Sequence, residues 1–237
     1  PHVQGLCNLL NAMGAKISGI GTNRLLIQGV AKLHGAKHRI GPDFMEIGSF
    51  LCLGAIAKGK IEIKDIDIEQ LRFILKTFNR LGIEPTISEN SLVIDGSKEL
   101  NIQTDISGRV ATIYSAPWPG FNTDLMSVAI VAATQARGTL IFFEKMYEGR
   151  MFFTDSLMSM GANIVLCDPH RIVVTGPQSL LAAHMSSPDV RAGMALLSAS
   201  LIAKGKSKID NIYQIERGYS HIYEKLLNLG AAITRLD

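Results

Sequence analysis

Residues 69–96 read EQLRFILKTFNRLGIEPTISENSLVIDG, and this stretch shows the pattern of helix, turn and strands from which the fold can be predicted. Its first half predicts an amphipathic helix, because apolar residues recur at the spacing of one helical face. These residues are Leu71, Ile74, Leu75 and Phe78. Gly82 follows at the place where a helix commonly ends in a left-handed residue. The alternating apolar residues after it predict two short strands.

The same order of helix, glycine turn and strands recurs along the chain. Its turn glycines lie roughly 70 to 80 residues apart, which indicates an internal repeat. They are Gly14, Gly82, Gly161 and Gly230. A second kind of helix alternates with the first, and it is rich in small and apolar residues and almost free of charge. The sequence predicts it at residues 48–57, 124–136 and 190–203, and a helix that is apolar nearly all round is expected to be buried.

The repeat also suggests how the chain is divided. Three copies of two helices and about four strands fit into residues 41–237, which we expect to form one domain. Residues 1–40 supply only the second half of a copy. We therefore expect residues 1–40 to be the tail of a preceding domain that this chain lacks, and Pro1 to be a fragment boundary.

Composition excludes several classes of protein. Of the 237 residues, 47% are hydrophobic and 19% are charged, so a packed core is expected and wholesale disorder is not. The net charge of +3 is too small to indicate a nucleic-acid or membrane-surface protein. No apolar run is long enough to cross a membrane. Three widely spaced cysteines argue against disulfides and a zinc site, and they suit a cytoplasmic location.

Two polar stretches precede or follow predicted buried elements. Residues 117–124 read PWPGFNTD, and Asn122, Thr123 or Asp124 could cap the helix that follows. Asp124 could instead act as a proton acceptor at that helix start. Residues 144–150 read EKMYEGR at a strand end, and they fit either an exposed, salt-bridged connection or part of a site.

Two further stretches contain arginines near predicted helix starts. Asp189 is placed to cap the third buried helix, but Arg191 in the first turn opposes the helix dipole. We therefore expect a carboxylate or an anionic ligand beside Arg191. Arg217 is either a surface residue or a bidentate phosphate ligand. Dinucleotide and P-loop motifs are missing, and the histidines are not spaced for a metal, so neither a cofactor nor a metal is expected.

These stretches together resemble the C-terminal portion of the enolpyruvyl transferase family, in particular of the UDP-N-acetylglucosamine 1-carboxyvinyltransferases. The resemblance runs along the whole chain. It rests on five motifs, MGAKISG at 13–19, PGFNTD at 119–124, EGRM at 148–151 with MGA at 160–162, DVRA at 189–192 and RGY at 217–219. It implies an α/β (α+β) fold, an inside-out α/β barrel of repeated βαβαββ units.

The resemblance also implies a reaction and a set of site residues. The enolpyruvyl group of phosphoenolpyruvate would pass to the 3′-hydroxyl of UDP-N-acetylglucosamine with release of phosphate, the first committed step of peptidoglycan synthesis. Asp124 would be the general base, and Arg217 would bind the phosphoenolpyruvate carboxylate or phosphate. Both would be catalytic. Substrate would be bound by these two residues and by Met146, Arg150, Asp189 and Arg191. Both substrates would bind at the interface with the missing N-terminal domain, so the chain alone would be inactive.

The chain departs from the family pattern at three positions. A common Asn is Gly149, a common Arg is Phe44 and a common His is Gln214. Two alternatives therefore stay open. One is the enolpyruvyl transferase of the shikimate pathway, and the other is a non-catalytic paralogue that binds the sugar nucleotide or a protein partner and regulates the pathway.

Overall fold

The protein is described here by a computed structural model, which covers residues 1–236. Two compact units are present, Pro1–Asp43 and a larger one that begins at Phe44. The division lies three residues beyond the one expected from the repeat. In the first unit, α1 (His2–Ala12) precedes the antiparallel strands β1 (Lys16–Ser18) and β2 (Leu26–Gln28). Asn11 holds this helix to the hairpin, because its side chain bonds both the N–H and the carbonyl oxygen of Ile17 at 2.8 Å.

The larger unit contains the remaining helices and strands. Its helices are α2 (Phe44–Ile56), α3 (Ile68–Asn79), α4 (Met126–Gln135), α5 (Thr154–Ser159), α6 (Val190–Ile202), α7 (Tyr213–Glu216) and α8 (Ile222–Asn228). Its strands are β3 (Lys60–Lys64), β4 (Thr86–Ile87), β5 (Ser91–Asp95), β6 (Ala111–Tyr114), β7 (Gly138–Phe143), β8 (Asn163–Asp168), β9 (Arg171–Gly176), β10 (His184–Ser186) and β11 (Lys208–Asp210).

The three apolar helices form the centre of the larger unit, as their sequence predicted. Helices α2, α4 and α6 pack against one another, and most of their residues are buried. Gly48 allows the turn before α4 to approach α2 closely, since a Cβ on Gly48 would lie 2.8 Å from the side chain of Leu125. Helix α2 begins four residues earlier than predicted. Phe44 is buried and lies 5.9 Å from Trp118 between ring centroids, so an apolar contact stabilises this first turn.

Open sheets surround these helices. The largest has the order β6-β7-β9-β8, in which β6 and β7 are parallel and the other pairs are antiparallel. The chain from β6 to β9 therefore follows the order βαβαββ, the expected repeat. The order β3-β5-β4 and the parallel pair β10-β11 belong to the neighbouring copies. Among the described residues the last copy has no strand after α8, and no sheet closes into a barrel.

The glycine turns of the repeat are confirmed at all four predicted positions. The turn glycines follow helices α1, α3, α5 and α8, and each has a backbone angle φ between +78° and +96°, which residues other than glycine rarely adopt. At Gly82 the approach of another chain segment adds a second reason, because a Cβ would lie 2.6 Å from the backbone nitrogen of Asn101. The glycine therefore marks the end of each of these helices, and a strand follows the first three glycines.

Candidate active site

Asp124 lies at the entrance to the central helix α4. It is part of a 3-10 turn, Thr123–Leu125, that runs directly into this helix. Of the three capping candidates in the sequence, Asn122 is the cap, since its side-chain oxygen accepts from the backbone N–H of Asp124 at 2.8 Å. The carboxylate of Asp124 is consequently not used as the cap of its own helix.

Two arginines from distant parts of the chain converge on Asp124. Arg150 Nη2 donates to Asp124 Oδ1 at 3.0 Å, and Arg191 Nε donates to Asp124 Oδ2 at 3.1 Å. The two arginine side chains are 19% and 18% exposed, and the carboxylate is 32% exposed. Each carboxylate oxygen keeps a further lone pair for a ligand. The arrangement provides a partly accessible carboxylate with an excess of positive charge, which suits an anionic substrate.

Asp189 and the chain after α7 together hold Arg191 in place. The Asp189 carboxylate accepts from the backbone N–H groups of Arg191 at 2.8 Å and Ala192 at 2.9 Å, so it caps α6 as the sequence predicted. The Arg191 guanidinium lies 5.3 Å from the ring centroid of the buried Tyr219. Gly218 permits this packing, because a Cβ there would lie 2.3 Å from Val190.

The guanidinium of Arg191 is both charged and incompletely bonded. Burial opposes its charge, but the neighbouring Tyr219 and Asp124 outweigh that effect and raise the pKa of Arg191. Its Nη1 atom is buried and has no hydrogen-bond partner in the part of the chain that the structure describes. Because an unpaired buried donor is costly, this atom marks a place where an acceptor would be favourable.

Glu144 differs from the rest of the stretch 144–150, for which the sequence allowed either an exposed connection or part of a site, because residues 145–148 are exposed and Glu144 is not. Its side chain is fully buried. Glu144 Oε1 accepts from the Ser115 hydroxyl at 2.6 Å and from the backbone N–H of Met146 at 2.7 Å. Glu144 Oε2 accepts from the hydroxyl of Thr123. Thr123 also accepts from Arg150 Nη1 at 2.9 Å, so the buried carboxylate is connected to the Asp124 cluster.

The remaining expected site residues have different positions. Met146 is 42% exposed, and because its N–H is bonded to Glu144, its carbonyl oxygen is the main-chain group that could contact a ligand. Arg217 is exposed at the end of α7, where its Nη1 donates to Gln214 Oε1 at 3.0 Å. Among the described residues the structure shows no hydrogen bond or ion pair between Arg217 and Asp124, Arg150 or Arg191.

The departures from the family pattern fit the local structure. Gly149 has φ +75°, a conformation that Asn tolerates better than most residues and that Gly adopts without strain. Gln214 supports Arg217, and Phe44 is part of the core. Of the cysteines, burial raises the pKa of Cys52, whereas Cys167 is exposed on β8. Within residues 1–236, no cluster of side chains could hold a metal ion, and no helix is both long and apolar enough to cross a membrane.

Comparison with known proteins places this chain in one family. The family model described as EPSP synthase (3-phosphoshikimate 1-carboxyvinyltransferase) matches residues 1–226, so the chain belongs to that family. Solved structures agree on the fold. The enolpyruvyl transferase NikO from Streptomyces tendae superposes with a TM-score of 0.85 at 23% identity, covering 99% of this chain and 54% of that one. An EPSP synthase from Acinetobacter baumannii gives 0.73 at 16% identity, covering 100% and 55%. The mixed α/β fold of the enolpyruvyl transferases is thereby confirmed.

The names of the curated sequence relatives indicate a narrower group of enzymes than the family model does. A UDP-N-acetylglucosamine 1-carboxyvinyltransferase from Borreliella burgdorferi is 52% identical over 236 residues, and the one from Bradyrhizobium diazoefficiens is 50% identical over 236 residues. In both cases the alignment covers 100% of this chain and 55% of the relative. The chain therefore spans about half the length of the curated relatives that it matches. The predicted resemblance to these enzymes is confirmed.

Proposed function

We propose that this chain supplies the C-terminal part of an enzyme that transfers the enolpyruvyl group of phosphoenolpyruvate to the 3′-hydroxyl of UDP-N-acetylglucosamine. One observation supports it above all others. The Asp124 carboxylate accepts hydrogen bonds from two arginines, and the chain is 52% identical to a relative named UDP-N-acetylglucosamine 1-carboxyvinyltransferase. The reaction would serve peptidoglycan synthesis in the cytoplasm. Residues 1–40 would belong to the preceding domain. The rest of the site would come from the part of the enzyme that corresponds to the segment of the relatives that this chain does not cover.

The chemistry assigns a role to each charged group. Asp124 takes the proton of the 3′-hydroxyl as the hydroxyl oxygen bonds to C2 of phosphoenolpyruvate. At the same time C3 gains a proton, and a tetrahedral intermediate forms. Loss of a proton from C3 and cleavage of the bond between C2 and the phosphate oxygen then give the enolpyruvyl ether and phosphate. Arg150 and Arg191 stabilise the negative charge near the reacting carbon. The unpaired Nη1 of Arg191 supports this role, because a ligand oxygen would supply its missing acceptor.

Three more residues complete the proposed site. Arg217 binds the carboxylate or phosphate of phosphoenolpyruvate, since its side chain is exposed and the partner of its Nη1 atom, Gln214, is neutral. The carbonyl oxygen of Met146 contacts the sugar nucleotide. Asp189 lines the site as well as capping α6, since only one of its two oxygens is used by the helix N–H groups.

The shikimate-pathway reaction is the second candidate, because the matching family model bears that name. The relatives near 50% identity favour the sugar nucleotide instead, whereas the EPSP synthase structure is only 16% identical. A non-catalytic paralogue is disfavoured by the intact cluster of Asp124, Arg150 and Arg191.

The role of Asp124 is tested by Asp124→Asn in the complete product of the gene. Asn keeps the shape but accepts a proton poorly, so we expect kcat to fall by about 100-fold or more while the sugar nucleotide still binds. Asp168→Asn is the matched control, because Asp168 pairs with Arg171 on the exposed β8–β9 hairpin. An Asp124→Asn enzyme with unchanged kcat would exclude this residue as the base.

A further inference from the structure

The buried carboxylate of Glu144 has no part in the proposed chemistry, and yet it is surrounded by donors. It accepts two hydroxyl hydrogen bonds, from Ser115 and Thr123, and two backbone hydrogen bonds, from Met146 at 2.7 Å and Tyr147 at 3.3 Å. A fully buried carboxylate is costly unless such donors compensate it. A structural salt bridge does not explain it, because among the described residues no Lys or Arg is ion-paired with Glu144.

The directions of the two hydroxyl groups follow from their other contacts. Ser115 Oγ accepts from the backbone N–H of Lys145 at 2.8 Å, so its own proton is directed to Glu144. Thr123 Oγ1 accepts from Arg150 Nη1 at 2.9 Å, so its proton is likewise directed to Glu144. An ionised carboxylate only accepts hydrogen bonds, which fits four donors. The Thr123 hydroxyl therefore has one fixed orientation, with a lone pair presented to Arg150.

Arg150 is held by three contacts that together fix the plane of its guanidinium. Its Nη1 meets Thr123, its Nη2 meets Asp124 Oδ1 at 3.0 Å, and its face lies 5.1 Å from the ring centroid of Tyr147. The Thr123 hydroxyl takes its orientation from the buried carboxylate of Glu144. Glu144 also bonds the backbone of Tyr147, so it supports Arg150 from two sides.

We propose that Glu144 is a positioning residue, which acts through the Thr123 hydroxyl to hold the Arg150 guanidinium against Asp124. The expected loss of activity rests on the proposed function, but the hydrogen bonds that connect Glu144 through Thr123 to Arg150 do not depend on it. Glu144 touches no reacting atom. It sets the geometry of Arg150 and Asp124, and it also fixes the Met146 backbone, whose carbonyl oxygen is then left to face the ligand.

Glu144→Gln is the decisive substitution, because Gln has nearly the size of Glu but replaces one acceptor oxygen with an NH2 group, which donates. The Gln carbonyl oxygen can keep the bonds from Ser115, Met146 and Tyr147, which leaves the NH2 group facing Thr123. Thr123 Oγ1 then meets a second donor in place of its acceptor, and its bond to Arg150 weakens. Thr123→Val removes the hydroxyl altogether and should have the same effect, whereas Thr123→Ser keeps it.

The first readout is the nitrogen NMR spectrum of the arginine side chains, with Arg150→Lys used for assignment. Wild-type protein should show separate signals for the two Nη groups of Arg150, because both are bonded. Glu144→Gln and Thr123→Val should average them by faster rotation, and Thr123→Ser should not. Thr134→Val is the matched control, since it removes another buried hydroxyl, one bonded to Val131 near the opposite end of α4, and it should leave the Arg150 signals unchanged.

The second readout is phosphate release by the complete product of the gene. Glu144→Gln and Thr123→Val should each lower kcat by about 10- to 100-fold, and the double variant should be no worse than the poorer single variant. Thr123→Ser should keep most of the activity. Additive losses in the double variant, or an unchanged kcat in Glu144→Gln, would overturn the proposal.

The two readouts separate this inference from the proposed function. A wild-type protein without turnover would refute the proposed function, and the arginine spectrum would still decide whether Glu144 holds Arg150. Arg150 signals that are identical in wild type and Glu144→Gln would refute the positioning role even if the enzyme were active.

Discussion

Substitutions at Asp189 can separate its structural role as the cap of α6 from its proposed role in binding the substrate. Asp189→Ala removes the acceptor for two N–H groups at the start of α6. Loss of an N-cap costs about 1 kcal/mol, which corresponds to about 2–4 °C in Tm for a domain of this size. Asp189→Asn keeps a capping oxygen, so we expect its Tm to stay within about 1 °C of wild type.

The matched control is Asp67→Ala, because Asp67 caps α3 by accepting from the backbone N–H of Glu69 at 3.1 Å. Thermal unfolding followed by circular dichroism should give a similar loss for Asp67→Ala and Asp189→Ala. Calorimetry with UDP-N-acetylglucosamine and assays of phosphate release should show a defect only in the Asp189 variants. If Asp189→Ala unfolded at the wild-type temperature, the cap would not contribute as described. If Asp189→Asn had full activity, the carboxylate would have no role in the site.

Three further predictions concern the packing, turns and charges of the larger unit. Phe78→Ala should lower the free energy of unfolding by about 3–5 kcal/mol, because Phe78 is fully buried, whereas Phe73→Ala on the exposed face should cost much less in a urea titration. Gly161→Ala should cost about 1–2 kcal/mol through φ +95° alone, and Gly82→Ala should cost more because its Cβ also meets backbone; equal losses would contradict this. A side-chain hydrogen bond from Arg171 and a backbone hydrogen bond from His170 hold the pKa of Asp168 below its usual value, so this carboxylate stabilises the fold when it is ionised and loses that effect as the pH falls through its folded pKa. The difference in Tm between Asp168→Asn and wild type should therefore be larger near pH 6 than in acid.

The repeat could be predicted from sequence because its signals are local. The spacing of apolar residues in α3 and the glycine after it depend only on neighbours in the chain, and so does the apolar character of α4. The cap at Asp189 was predictable for the same reason. The carboxylate expected beside Arg191 was found, but only the structure shows that it is Asp124, which lies 67 residues away in sequence.

The connection through Glu144 could not be predicted, because its partners come from separate elements. Ser115 follows β6, Glu144 follows β7, and Thr123 precedes α4. A Glu after a strand is usually solvated, and only the parallel pairing of β6 with β7 brings the Ser115 hydroxyl to its carboxylate. Thr123 and Asp124 are adjacent in sequence and both accept from Arg150, but only the structure shows that Thr123 also donates to Glu144.

The proposed function can be tested by phosphate release from phosphoenolpyruvate, measured in parallel for this chain and for the complete product of its gene. UDP-N-acetylglucosamine and shikimate 3-phosphate should be compared as acceptors. We predict turnover with the sugar nucleotide by the complete product, and none by this chain alone if the product is longer. Turnover with shikimate 3-phosphate instead, or with neither acceptor, would contradict the proposed function.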